Sequence, residues 1–166
     1  MKRTAGVDVT ACERCPELVA SRSRIVNGVG PVDAAVLLVG EAPGEREDRE
    51  GEPFVGRSGE ILDAVLRDLG YTRGDVRITN CVRCRPPENR DPSETELGNC
   101  RGYLEAEIDA LDPRMIVALG KVPSEHLLGR SVAVTAEAGT VETVGVADTP
   151  RDVVICVHPA ASLYDP

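Results

Sequence analysis

Four short strand-like runs, set apart by helical patterns, lay out the plan of this chain. Ala34–Val39 is continuously apolar and ends at Gly40. Val76–Thr79 ends at Asn80, Met115–Leu119 at Gly120, and Val153–Val157 at His158. Runs of this length suit strands buried on both faces, as in a parallel sheet. Between them, Ile61, Leu62, Val65, Leu66 and Leu69 recur at helical spacing and stop at Gly70. Ser93 and Glu96 form a capping box, which opens a helix running to about Leu111, before Pro113. A shorter helix is expected around Ser124–Leu128. Residues 131–146 are rich in Val and Thr and should add a small hairpin or an irregular strand. The alternation of strand and helix predicts a doubly wound α/β sandwich.

In such a sheet, ligands sit at the carboxyl ends of the strands. Those ends carry Gly40-Glu41-Ala42-Pro43-Gly44, Asn80, Gly120-Lys121 and His158-Pro159. Glycines at both ends of the pentapeptide let backbone approach a ligand and expose amide donors, although a plain turn also explains them. The loop continues through Glu45–Asp48 to Gly51-Glu52-Pro53-Phe54-Val55-Gly56. Phe54 is the one phenylalanine of the chain. It lies in a loop rather than on an apolar helix face, which suits stacking on a flat ring; anchoring the loop to the core is the simpler alternative. His158 on the same rim is placed to donate to a developing anion or to move a proton. His126, between helical leucines, reads as structural.

At 166 residues the chain has the length of one domain. No apolar run is long enough for a membrane span, and no leader pattern opens the sequence, so a cytoplasmic protein is expected. The net charge is -9 and only Lys2 and Lys121 are lysine. An acidic, lysine-poor, aromatic-poor composition is halophile-like, since strong salt screens carboxylate repulsion. Such a charge argues weakly against nucleic acid as a partner, but in strong salt binding leans on shape and stacking instead. Arg57, Arg83, Arg85 and Arg90 fall in loops near the rim, which should make it the least negative face. No paired aromatics of a sliding-clamp peptide lie near a terminus, and a monomer is expected.

Six cysteines in a chain of this type suggest metal or redox chemistry more than disulfides. Cys12-x2-Cys15 with Cys81-x2-Cys84 would make two zinc knuckles. Cys12, Cys15, Cys84 and Cys100 would instead suit a [4Fe–4S] cluster. Spacing alone leaves both open. Cys81 directly follows a strand end and is expected to face the core, and Cys156, inside a strand, to be an inert core thiol.

Taken together, these segments resemble the family 4 uracil-DNA glycosylases, the iron–sulfur type common in archaea and thermophilic bacteria. The resemblance rests on Cys12-x2-Cys15, Gly40–Gly44 with Glu45, Glu47 and Asp48, Gly51-x-Pro53-Phe54-Val55-Gly56, Ile78-Thr79-Asn80 through Cys84-Arg85-Pro86-Pro87, Asn89-Arg90-x-Pro92, Cys100, and His158-Pro159-Ala160. It implies a three-layer α/β/α sandwich around a four-stranded parallel sheet. One domain would span 1–166, with a Cys knuckle at 12–15 and without the family's C-terminal helix. It implies a [4Fe–4S] cluster on Cys12, Cys15, Cys84 and Cys100, and hydrolysis of the glycosidic bond of uracil flipped out of DNA, the first step of base excision repair. Uracil would be held by Glu41, Ala42, Pro43, Phe54, Asn80 and His158. Phe54 would stack on the ring and Asn80 would read its N3–H and O4 edge. His158 would stabilise the leaving base and Glu41 would handle the water, making Glu41 and His158 the catalytic pair.

The rival readings are a non-catalytic iron–sulfur or zinc-binding DNA accessory module, and the related enzymes that trap uracil covalently through a histidine. Retention of Glu41, Asn80 and His158 argues against the first. The stretch between Asn80 and Cys100 contains no histidine, which argues against the second.

Overall fold

The computed structural model describes residues 7–163; residues 1–6 and 164–166, the two ends of the expected domain, lie outside them. In chain order the elements are α1 (Pro16–Ser21), β1 (Val36–Gly40), α2 (Glu45–Glu50), α3 (Arg57–Asp68), β2 (Arg77–Asn80), α4 (Glu94–Leu111), β3 (Met115–Leu119), α5 (Lys121–Leu128), α6 (Val134–Glu137), β4 (Val141–Val146) and β5 (Thr149–Cys156). One-turn 3-10 segments lie at Arg73–Asp75, Pro87–Asn89 and Pro159–Leu163.

The strands form one sheet in the order β2-β1-β3-β5-β4. The first four are parallel, as expected, but β4 adds an antiparallel edge paired with β5. The sheet is therefore five-stranded and mixed, which corrects the four-stranded parallel expectation. The reason is legible in β4 itself. Its residues alternate between exposed and half-buried, so it lacks the continuous apolar run of a strand covered on both faces.

Successive side chains of β1 point to opposite faces and feed two separate cores. Leu37 and Val39 pack with Leu18 of α1, Leu104, Ile108 and Leu111 of α4, and Leu127 of α5. Leu38 packs with Leu62 and Leu66 of α3, Ile78 and Phe54. Helices thus cover both faces of the sheet. Helix α4 begins as its capping box dictates: Ser93 Oγ accepts from the Glu96 amide, and the Glu96 carboxylate accepts from the Ser93 amide. Helix α2 was not expected, because Glu45–Glu50 offers no apolar face; its carboxyl-rich first turn suits a helix N-terminus.

Three buried charges tie this scaffold together. Glu107 of α4, with no exposed surface, accepts from Arg77 Nε at 2.9 Å and from Arg83 Nη2 at 2.7 Å. Arg77 Nη1 also reaches the Gly30 carbonyl, and Arg83 Nη1 reaches the Val7 carbonyl and Asn27 Oδ1. Arg83 is only 1% exposed, so it is a structural cation and not the rim charge its loop position suggested. Removing one member of such a set leaves uncompensated buried charge. Glu107→Ala is expected to lower unfolding stability by about 3–5 kcal/mol, read as a shifted denaturant midpoint at unchanged slope.

Candidate active site

The parallel strands bring their carboxyl ends to one edge, and the side chains there line a cleft of about 680 Å³. Glu41 is the first residue after β1, and Asn80 is the last of β2, paired in register with Gly40. His158 lies two residues beyond β5. Glu41, Ala42, Phe54, Asn80 and His158 all line the cleft. Pro43 does not line it and is buried. The volume falls within the ordinary range of ligand pockets and exceeds what a lone pyrimidine ring needs.

Phe54 sits against the strand tips because Gly40 has no side chain. A Cβ there would lie 2.5 Å from both the Phe54 ring and Asn80 Oδ1. The ring is buried, and its centroid is 6.2 Å from that of His158 with 31° between the planes. Glu47 of α2 closes the two ends of this loop. Its carboxylate accepts from the amides of Gly44, Val55 and Gly56 at 2.8–3.0 Å.

The histidine is oriented by its own turn. The Ala160 amide donates to His158 Nδ1 at 3.0 Å, so the neutral ring carries its proton on Nε2. Burial lowers its pKa from the ordinary value, which keeps the imidazole neutral at neutral pH. Gly120, with φ +108, leaves room for the histidine, whose Cβ would stand 3.2 Å from an added methyl.

Glu41 is the most perturbed acid of the cleft. Its pKa is pushed up to about 8, first by burial, then by a hydrogen bond to Asp91 and by the charge of that carboxylate. Asp91 and Asn89 enter from the proline-rich loop between β2 and α4, and Arg57 and Ser58 from the first turn of α3. Sequence reading names none of these four among the uracil-holding residues, although it places Arg57 near the rim and counts Asn89 in a resembling segment. The Asn89-Arg90-Asp91-Pro92 stretch looks like a connecting loop, and nothing in it announces that it folds back over Glu41. Left-handed backbone at Glu88 and Asn89 makes that return, and Arg85 Nε donates to Asn89 Oδ1 at 2.8 Å.

A second, much smaller cavity lies away from the cleft. Cys12, Cys15, Cys84 and Cys100 all line it, together with Leu18 and Val82. Each sulfur accepts a hydrogen bond. Tyr103 and the Arg14 amide donate to Cys12, and Asn99 Nδ2 to Cys15 at 3.6 Å. Arg22 Nη1 donates to Cys84 at 3.2 Å, and the Arg83 amide to Cys100. Donors to every sulfur are what anionic thiolates of a metal centre require. Among the described residues, no three His, Cys, Asp or Glu side chains converge closely enough to share one metal ion. Cys81 is fully buried in the core beside Leu37 and Val39, and burial pushes its thiol far up. Cys156 ends β5 on the opposite face, half-buried.

The chain matches the family model of the uracil DNA glycosylase superfamily over residues 27–166. It is 42% identical over 159 residues to a type-4 uracil-DNA glycosylase of Pyrobaculum aerophilum, covering 93% of this chain and 81% of that one. It is 37% identical to a type-4 uracil-DNA glycosylase of Archaeoglobus fulgidus, covering 96% and 81%. It is 36% identical to a type-5 uracil-DNA glycosylase of Thermus thermophilus, covering 77% and 73%. With a family model matched over most of its length and type-4 relatives at 37–42% identity, the chain belongs to the uracil-DNA glycosylase superfamily, within its type-4 group.

Proposed function

We propose that this chain excises uracil from DNA in the cleft at the strand tips, with the residues there in defined roles. The convergence of Phe54, Asn80, His158 and Glu41 on one cleft supports this reading most directly. A base inside a duplex is unreachable, so the nucleotide is flipped out first. Phe54 stacks on the ring, and the Asn80 amide offers one acceptor to N3–H and one donor to O4. Cytosine presents a donor where uracil presents O4, and is disfavoured. As the C1′–N1 bond breaks, the electron pair moves onto the base. His158 Nε2–H donates to the developing anion, a contribution worth about 3–4 kcal/mol for one well-placed donor. Water adds to C1′ of the sugar cation, and Glu41 takes its proton. The products are free uracil and an abasic site.

Cys12, Cys15, Cys84 and Cys100 are suited to hold a [4Fe–4S] cluster. When bound, it supplies a four-point cross-link joining the N-terminal knuckle, the loop after β2, and α4. Their shared cavity and the donors directed at all four sulfurs support this assignment. Cleavage of alkali-treated oligonucleotide at a single uracil, and none at cytosine, tests the activity itself.

The variants follow from the roles. Asn80→Asp, which presents acceptors only, should lose uracil excision and gain weak cytosine excision. His158→Ala should lower kcat by about 100- to 1,000-fold with little change in KM. Full uracil activity in both would misplace the pocket.

Glu41 links activity to pH. As a base it must be deprotonated, so kcat/KM rises with pH through about 8 in the free enzyme. Asp91→Asn, which removes the neighbouring charge, should move that limb to lower pH. Stability runs the opposite way. A raised pKa favours the protonated fold, so this stabilisation is complete below the ordinary 4.5 and lost as pH rises through about 8. Glu41→Gln should therefore be slower in catalysis yet melt higher than the parent above pH 8.

Metal content checks the cysteine assignment. The purified protein should be brown, with about four irons and four sulfides per chain. Cys81→Ser should keep the colour and Cys100→Ser lose it; the reverse outcome would overturn the ligand set.

A further inference from the structure

We infer that Arg73, anchored by Asp63, is a positioning residue that fixes the Phe54 ring over the cleft; the inference rests on the stacking role proposed for Phe54. Phe54 has φ 53, a left-handed backbone conformation that a bulky aromatic residue rarely adopts. Such a conformation persists only where surrounding contacts over-determine it. Here two opposite charges grip the backbone on either side of the residue. Downstream, the Glu47 carboxylate accepts from the Val55 and Gly56 amides. The Arg73 guanidinium donates from Nη1 to the preceding Pro53 carbonyl at 3.1 Å and from Nη2 to the carbonyl of Phe54 itself.

The third side of the fork is committed as well. Arg73 Nε donates to Asp63 Oδ1 at 2.5 Å. Asp63 lies on α3 and Arg73 in the 3-10 turn before β2, so the clamp ties the loop to two fixed elements. Gly59 of α3 completes the fit, because any Cβ there would run into the Phe54 carbonyl that Arg73 holds. A planar fork with several donors can serve two carbonyls and one carboxylate together, which a lysine ammonium on its flexible stem cannot do in the same geometry. Arg73 and Asp63 do not line the cleft, and both side chains are partly exposed, at 28% and 46%. Their effect on uracil therefore passes through the loop, and their removal opens no core cavity.

The test is a double-mutant cycle in the metal-loaded enzyme, read by inhibition with free uracil and by kcat/KM on a uracil oligonucleotide. Phe54→Ala and Arg73→Ala should each weaken free-uracil inhibition by about tenfold, the scale of one base–aromatic stack. The double variant should be no weaker than Phe54→Ala alone, because Arg73 acts only through that ring. Arg73→Lys should recover little of the loss. If Arg73→Ala does not fold, Asp63→Ala leaves the guanidinium but removes its anchor, and should show a several-fold loss with the same non-additivity. Undiminished uracil affinity in Arg73→Ala beside a normal loss in Phe54→Ala would overturn the positioning role alone, as would full additivity in the cycle. Undiminished affinity in Phe54→Ala would overturn the stacking role, and the positioning role with it.

Discussion

Both sites of this protein hang from one buried carboxylate. Glu107 is fixed to α4 and grips Arg77 of β2 and Arg83 of the loop beyond it. Three residues N-terminal to Arg83 is Asn80, which faces the cleft. One residue C-terminal is Cys84, which faces the cysteine cavity, and seven residues before Glu107 on α4 is Cys100. The arginines are themselves bound to carbonyls of the N-terminal segment, at Val7 and Gly30. Burying three charges is costly, and their mutual geometry must be well satisfied for the fold to tolerate it. That demand fixes how α4 lies against β2. Gly28 shows how tightly: a methyl there would collide with the Glu107 carboxylate.

The parallel part of the fold is legible because its strands are buried on both faces and so lack polar interruptions. The capping box of α4 is legible because it is a local bargain between Ser93 and Glu96. Edge strand β4 is not, since its half-exposed alternation carries little apolar signal, and α2 is not, since its stability lies in charge placement at the helix start. Among site residues, Glu41, Asn80 and His158 stand directly on or after strand ends, so topology alone carries them to one edge. Asp91 reaches Glu41 only through a loop whose path is set by left-handed residues. Arg83 shows the converse failure: a cation next to a loop reads as surface charge until its carboxylate partner, 24 residues away, is seen.

Three carboxylates, Glu41, Glu47 and Asp91, line the cleft with one arginine, Arg57. Glu47 is spent on three backbone amides. Glu41 is held protonated at neutral pH by burial and by Asp91. Arg57 stands at the mouth.

The stretch from Asn80 to Cys84 runs on beyond β2 alongside the turn after β1, with the Cys81 amide donating to the Gly40 carbonyl at 2.9 Å and the Val82 amide to that of Glu41 at 3.1 Å. Asn80 serves the cleft at one end and Cys84 the cysteine cavity at the other, while Arg83 between them is locked to Glu107. This interval therefore behaves as a ruler with no slack. A residue inserted or deleted within it would shift one end against the other, withdrawing either the amide or the thiol from its place. Surface loops elsewhere in the molecule can change length over evolution; these five residues cannot.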